Sequence, residues 1–339
     1  MEGSSTRDSS PLSVLPDKTP ERPELTHKIQ CTCDHEEKSF LVRSYYNFRH
    51  RKQTVSCKRA KEWLQYCHPP RNMEDVYNNL LENPLDTHEF RASCKQIDLD
   101  IHRTYPDEIY FLDPEGQSAL RRVLVAFSKY DHNLGYVQGM NFIVGALLWH
   151  ASECDAFWLF VGLMEDYELR DTYLPKLPGL SKHCQIIQLL ILELLPRLHM
   201  KLAEYRITCE MYAAEWCFSL FGSVVPASEM VNVLDLFFKK GWIFFYRFVL
   251  AILQCLEQRL LKAKDTIDAL SPLKICQKSQ KEWKKFVKLL DDGKGKLNWA
   301  KLAQKAEDFD LDENYIRYLH MNFDIETSQF SIKRFATYS

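Results

Sequence analysis

The run Gln117-Ser118-Ala119-Leu120-Arg121-Arg122-Val123-Leu124-Val125-Ala126-Phe127-Ser128-Lys129 places Leu120, Val123, Leu124 and Phe127 at i, i+3, i+4 and i+7. That spacing lines four apolar side chains along one stripe of an α-helix, the pattern of a helix packed on a core. The same period recurs on both sides of it. Toward the N-terminus it predicts helices over 60–66, 74–81 and 90–103, with Asn83-Pro84 ending the second. Toward the C-terminus it predicts helices over 141–150, 155–166, 181–205 (bent near Pro196), 210–221, 228–238 and 244–261. Ser152 or Asp155 is expected as a cap, 170–180 as a Pro/Gly loop, and Gly222 and Gly241 as stops. Two more amphipathic helices are expected over 281–290 and 298–308, joined by the polar turn Asp291-Asp292-Gly293-Lys294-Gly295-Lys296. That turn lacks the alternating acids and terminal glutamate of a calcium loop. No alternating β-branched runs separate these segments, so the expected class is all-α, a multi-helix array and not a four-helix bundle. No repeat of fixed period is visible.

Composition narrows the function. The chain has 339 residues, enough for a large core, with 46% hydrophobic and 27% charged residues. A formal net charge of −2 gives no basic field for nucleic acid or an anionic membrane, and the basic run His50-Arg51-Lys52 is short. The apolar stretches 142–149 and 242–253 fall short of the roughly 20 residues of a membrane span, so both read as buried helices. Of 11 cysteines, Cys184, Cys209, Cys217 and Cys255 sit among apolar residues and are expected as buried small hydrophobes. The first residues are rich in Ser, Pro and charge, unlike a secretory signal, which points to a reducing compartment. The expected organisation is a disordered leader over 1–27, an extension over 28–55, a core over 56–262, C-terminal helices packing on it over 263–320, and a tail over 321–339.

Two segments carry candidate chemistry. In Ile97-Asp98-Leu99-Asp100-Ile101-His102-Arg103-Thr104-Tyr105-Pro106, Ile97 and Ile101 share an inward face, while Asp100 and Arg103 are i, i+3 neighbours. A carboxylate can accept two hydrogen bonds from a guanidinium and fix its direction. Pro106 pushes Tyr105 out of helical geometry, so Arg103 is expected at a helix end, able to reach outward. In Gly135-Tyr136-Val137-Gln138-Gly139-Met140-Asn141, glycines flank an amide that is both donor and acceptor. Tyr136 is expected as a packing aromatic and Asn141 as the N-cap of the next helix. Neither Arg103 nor Gln138 makes or breaks a covalent bond alone. Together they offer a cation for developing negative charge and an amide for a water, the parts that complete another protein's phosphoryl-transfer site.

Ile97-x-x-Asp100-x-x-Arg103 with Thr104-Tyr105-Pro106, followed by Tyr136-x-Gln138-Gly139-Met140-Asn141, resembles the paired signature of TBC-domain Rab GTPase-activating proteins. So does the run from Glu215-Trp216-Cys217 to Val225-Pro226, and so does Asp235-Leu236-Phe237-Phe238 with Phe248–Leu253; the resemblance covers about residues 56–262. It implies an all-helical domain acting on a Rab-family GTPase in its GTP-bound form. Arg103 would be the arginine finger and Gln138 the glutamine finger, with Asp100, Tyr136, Gly139 and Asn141 supporting them. Mg and GTP would be carried by the partner, with no intrinsic cofactor. The resemblance further implies a monomer in the cytoplasm, recruited to endomembranes through its partner, with a role in vesicle trafficking. Two segments depart from the family pattern. Cys57-Lys58-Arg59-Ala60-Lys61-Glu62-Trp63 stands where the family has Leu-Arg-Gly-x-x-Trp, and Asn232-Val233-Leu234-Asp235 where it has Arg-Ile/Val-Trp-Asp. Both bear on local packing and the GTPase-contact surface, not on the fingers. The other reading is a helical scaffold that binds a GTPase or other trafficking partner without accelerating hydrolysis.

Three further chemistries are disfavoured. Cys31-Thr32-Cys33-Asp34-His35 has no second ligand pair for zinc, no residue set marks a cysteine nucleophile with its base, and no Gly-rich phosphate loop is present.

Overall fold

A computed structural model describes residues 56–274 and 299–323. The leader, the extension, the 31–35 cluster, the 50–52 run, the helix expected over 281–290 with its turn, and all but the first three residues of the tail lie outside the described residues. In chain order the helices are α1 Lys58–Trp63, α2 Met73–Glu82, α3 His88–Ile101, α4 Ile109–Leu112, α5 Pro114–Tyr130, α6 Met140–Leu148, α7 Glu153–Glu165, α8 Pro178–Leu194, α9 Pro196–Glu204, α10 Glu210–Ser219, α11 Val231–Lys240, α12 Trp242–Leu261, α13 Thr266–Leu273 and α14 Trp299–Ala306. A last helix, α15, covers 313–323. Among the described residues there is no strand, and the fold is all-α.

Two helices organise the packing. The stripe quoted first lies in α5, where Leu120, Val123 and Leu124 are fully buried and Phe127 nearly so. Around it sit α2, α3, α4, α6 and α7. The second centre is α12, buried on nearly every side from Trp242 to Leu260 and packed against α8, α9, α11, α13 and α14. Contact between α6 and α10 joins the two groups. The one charged residue inside the apolar run of α12, Arg247, is satisfied at its tip: Nη2 donates to the Leu311 carbonyl at 3.1 Å. Among the described residues no helix is long and apolar enough to cross a membrane.

Several boundaries depart from the periodicity. The helix expected over 90–103 begins at His88 behind Thr87, whose hydroxyl accepts from Phe90 N–H, and stops at Ile101, so Arg103 lies beyond the helix. Ser152, not Asp155, caps α7. The expected loop 170–180 instead contains a 3₁₀ turn over Leu169–Thr172 and the first turn of α8, started by Pro178 at the position where a missing N–H is harmless. The helix expected over 181–205 is two helices broken at Leu195, because Pro196 starts α9. α10 is stopped by Leu220 and Phe221, both at positive φ, and not by Gly222. Cys184, Cys209 and Cys217 are buried, as their apolar neighbours imply, whereas Cys255 is only half-buried, with Lys305 Nζ 3.6 Å from its Sγ.

The two departing segments meet. The Arg59 guanidinium is ion-paired with the Asp235 carboxylate, and the Trp63 indole N–H donates to the other oxygen of that carboxylate at 2.7 Å. The Trp63 ring stacks on Phe238 at 5.5 Å. Local packing between α1 and α11 is therefore held by the arginine, tryptophan and aspartate that the altered segments retain.

Tyr105 fixes the chain after α3. Its φ is +47°, a left-handed conformation outside the extended range that a following proline favours, and its ring is fully buried. The hydroxyl donates to the Phe142 carbonyl at 3.0 Å. The ring fits because residue 145 of α6 has no side chain: a Cβ there would lie 2.9 Å from Tyr105 Cε2. Gly222 leaves similar room beside the hydroxyl. In an open helix interior Gly→Ala stabilises by about 1 kcal/mol. At this position the sign should reverse, because overpacking a core costs about 1–3 kcal/mol. Gly145→Ala is expected to lower the urea unfolding midpoint, whereas an unchanged or raised midpoint would show that the ring moves aside freely.

Candidate functional site

Asp100 is the centre of the site. It is 1% exposed on the last turn of α3, opposite in kind to its buried neighbours Ile97 and Ile101. A buried carboxylate persists as an ion only when its oxygens are hydrogen-bonded or paired. Here Oδ1 accepts from Arg103 Nε at 2.9 Å and from Gln96 Nε2 at 3.1 Å, and Oδ2 accepts from the Tyr136 hydroxyl at 2.6 Å. Burial, then the hydrogen bond and charge of Asp100, push the Tyr136 hydroxyl well above its ordinary pKa, so it stays a neutral donor.

The expected two-bond Asp100–Arg103 fork is thus a single bond. Its consequence is favourable: only Nε is used, and neither Nη group hydrogen-bonds a described residue. The stem is oriented by a fixed carboxylate while the outer fork, on a side chain 46% exposed, faces away from the core. That fork matches two anionic oxygens bidentately.

Gln138 lies in the turn that leads into α6, and its side chain is exposed, with no hydrogen bond to a described residue. The turn is held on both sides of it. Tyr136 N–H donates to Ser93 Oγ of α3 at 3.2 Å, and its hydroxyl reaches Asp100. Beyond Gln138, Gly139 has φ +110°, and a Cβ there would lie 2.5 Å from the Phe218 carbonyl oxygen, so only glycine lets the turn sit on α10. Asn141 does not cap α6. It lies inside the first turn, and its Oδ1 accepts backward from Gly139 N–H at 3.1 Å, with the Tyr136 hydroxyl at the same distance. Its Nδ2 donates to Thr104 Oγ1 at 2.7 Å, and that hydroxyl donates to the Asp100 carbonyl at 2.7 Å. Tyr136 is therefore more than a packing aromatic. Asp100, Thr104, Tyr136 and Asn141 form one buried network tying the segment of Arg103 to the turn of Gln138.

The sequence reading gives no role to Gln96 or Ser93 and names Thr104 only within the Thr104-Tyr105-Pro106 signature. Two had a signal: Gln96 stands four residues before Asp100, a favourable helix pair, and a threonine hydroxyl commonly bonds back to the carbonyl four residues earlier. The base of the turn had none. Asp131, at the end of α5, accepts from Arg170 Nε at 2.6 Å, Arg170 Nη2 at 3.1 Å and Leu134 N–H at 3.1 Å. Among the described residues no group of three or more His, Cys, Asp or Glu is placed to hold a metal ion.

Burial alone would raise the Asp131 carboxyl, but hydrogen bonds from Arg170 and Leu134 and the Arg170 charge outweigh it and hold the pKa below its ordinary value. A depressed carboxyl contributes stability that is present above its unfolded pKa of about 4 and is lost as pH falls through the folded value. The stability advantage of the parent over Arg170→Met should therefore be full at neutral pH and shrink in urea titrations as pH is lowered below about 4. A pH-independent difference would remove the ion pair from this account.

The Rab-GTPase-TBC domain profile matches residues 56–261, more than half of the chain. TBC1 domain family member 2B of Mus musculus is 30% identical over 217 residues, covering 63% of this chain and 22% of that protein. Rab GTPase-activating protein eat-17 of Caenorhabditis elegans is 35% identical over 193 residues, covering 57% and 21% respectively. The chain thus spans about a fifth of the length of the curated relatives it matches. Among solved structures, the Ypt/Rab-GAP domain of Gyp1p shares the fold at 15% identity and a TM-score of 0.57, over 80% of this chain and 92% of that one. The Chlamydomonas flagellar RabGAP TBC domain does so at 23% identity and 0.52, over 88% and 98%.

Proposed function

The chain belongs to the Rab-GTPase-TBC domain family, and on that premise we propose that it accelerates GTP hydrolysis on a Rab-family GTPase by supplying Arg103 and Gln138 in trans. The observation that carries this reading is the shared buried network. An arginine with an open outer fork is bonded to Asp100, and the turn that carries an exposed glutamine is tied to the same carboxylate and its partners through Tyr136 and Asn141. Such an arrangement has little use for packing, because neither tip touches the core.

In this reading the GTPase brings GTP and Mg, and this chain needs no cofactor of its own. The GTP γ-phosphoryl group gains negative charge on its oxygens and on the leaving oxygen as it transfers. Arg103 would meet that charge with its two Nη groups. Gln138 would accept a hydrogen bond from the attacking water through its carbonyl oxygen while its NH₂ reaches a phosphoryl oxygen, the role otherwise taken by the GTPase's own glutamine. Holding the Arg103 stem and the backbone of the Gln138 turn before the partner arrives lowers the ordering cost at the reacting step. The chain would act in the cytoplasm as a monomer, brought to endomembranes by its partner.

An arginine supplied in trans is worth ~10³–10⁵ in rate, or about 4–7 kcal/mol of barrier. In single-turnover GTP hydrolysis across a Rab panel, Arg103→Ala is expected to lose at least about 10³ of the maximal stimulation. Gln138→Ala should lose most of it and unfold like the parent, because its side chain is exposed and bonds no described residue, whereas Arg103→Ala also takes a partner from the buried Asp100 carboxylate and should lower the urea midpoint as well. Binding to GTP-loaded Rabs with no stimulation by the parent chain would instead identify a scaffold.

A further inference from the structure

The exposed side of α3 leads directly to Arg103. Lys95 and Leu99 are i, i+4 neighbours on it, and His102 and Arg103 follow one turn on. Lys95, His102 and Arg103 are exposed, and Leu99 is 69% exposed. Single exposed leucines are ordinary on protein surfaces, so the weight falls on this one's position. Side chains four apart on a helix stand about 5–6 Å from each other, which sets Leu99 beside Lys95, and Arg103 follows just past the helix end at Ile101. A body that brings a phosphoryl oxygen onto the Arg103 fork approaches the C-terminal end of α3, where Leu99 is the exposed apolar side chain of the last turn.

The charges around it have one sign. The carboxylates of α3 are committed elsewhere: Asp98 accepts from Arg121 Nε at 2.7 Å, Asp100 is buried beneath Arg103, and Glu89 lies at the far end beside His88. Lys95 makes no ion pair with a described residue. What remains on the track is an apolar side chain with a cation on either side of it in the chain, Lys95 one turn earlier on α3 and Arg103 just past the helix end.

We propose that Lys95 and Leu99 form the docking track for the GTPase that Arg103 acts on, with Leu99 seated against an apolar side chain of the partner and Lys95 paired with a partner carboxylate. The inference rests on the proposed arginine role and extends it from the reacting group to the surface that selects the partner. Covering a leucine contributes to binding without touching the barrier, so Leu99 governs the concentration of this chain needed for half-maximal stimulation and not the maximal rate. Lys95 acts at longer range and governs how salt weakens the association.

The test uses the full chain and the GTP-loaded Rab that it stimulates most, with rates recorded against chain concentration at two salt concentrations. Leu99→Asp should raise the half-maximal concentration at least about tenfold, and Leu99→Met should restore it, with the rate at saturation within twofold of the parent. Lys95→Glu should also weaken association and flatten its salt dependence. All three should melt at the parental temperature, since the positions are exposed. A half-maximal concentration within twofold of the parent for Leu99→Asp overturns the track, as does a loss confined to the saturating rate. In the same series Arg103→Ala should lower the saturating rate alone. If it does and Leu99→Asp changes nothing, only the track is wrong; if the chain stimulates no GTPase, the catalytic reading falls with it.

Discussion

A buried carboxylate has to be paired, and in this chain the way Asp100 is paired determines the rest of the site. Its two oxygens accept hydrogen bonds from three side chains in two segments: Arg103 and Gln96 on one oxygen, Tyr136 on the other. Removing a partner of a buried ion typically costs several kcal/mol, because the remaining groups lose their hydrogen bonds in a place water does not reach. The end of α3 and the turn before α6 are therefore held together by desolvation as much as by attraction. Two exposed tips inherit positions from one buried ion.

The fold supplies what that ion cannot. Tyr105 pins the chain just after Arg103 by burying its ring in space left by Gly145 and Gly222, and α6 carries both the Phe142 carbonyl that receives its hydroxyl and the Asn141 side chain that closes the network. The Asp131–Arg170 pair holds the other end of the turn. Helices α5 and α12, the centres of the two packed groups, stand behind these contacts. The outer atoms of Arg103 and Gln138 make no hydrogen bond to a described residue, and they are the atoms that would have to meet a partner.

Much of this was legible in the residues. The i, i+3, i+4, i+7 stripe of α5 fixed the class, Pro106 foretold the break at Tyr105, and the proximity of Asp100 to Arg103 foretold their bond. What was not legible depends on contacts distant in sequence. Nothing local to Asn141 distinguishes a cap from a side chain that bonds backward to Gly139 and across to Thr104. Nothing at Cys57–Trp63 or Asn232–Asp235 reveals that Arg59 and Trp63 share the Asp235 carboxylate. Leu220 and Phe221 take positive φ values against their intrinsic preference, because tertiary packing outweighs a local cost of about 1–2 kcal/mol. The sequence places Pro178 in a loop and Pro196 at a bend, yet each begins a helix, because the first helical position needs no N–H.

The most direct test of the account is whether Tyr136 and Arg103 act as one unit through Asp100. Single-turnover hydrolysis by a stimulated Rab would be measured with the parent, Tyr136→Phe, Arg103→Ala and the double variant. A hydrogen bond to a charged group is worth about 1.5 kcal/mol or more, so Tyr136→Phe should lower the saturating rate at least about tenfold in the parent and far less once Arg103 is gone. Equal losses in both backgrounds, or full activity of Tyr136→Phe, would contradict the claim that one buried carboxylate sets the geometry of both groups.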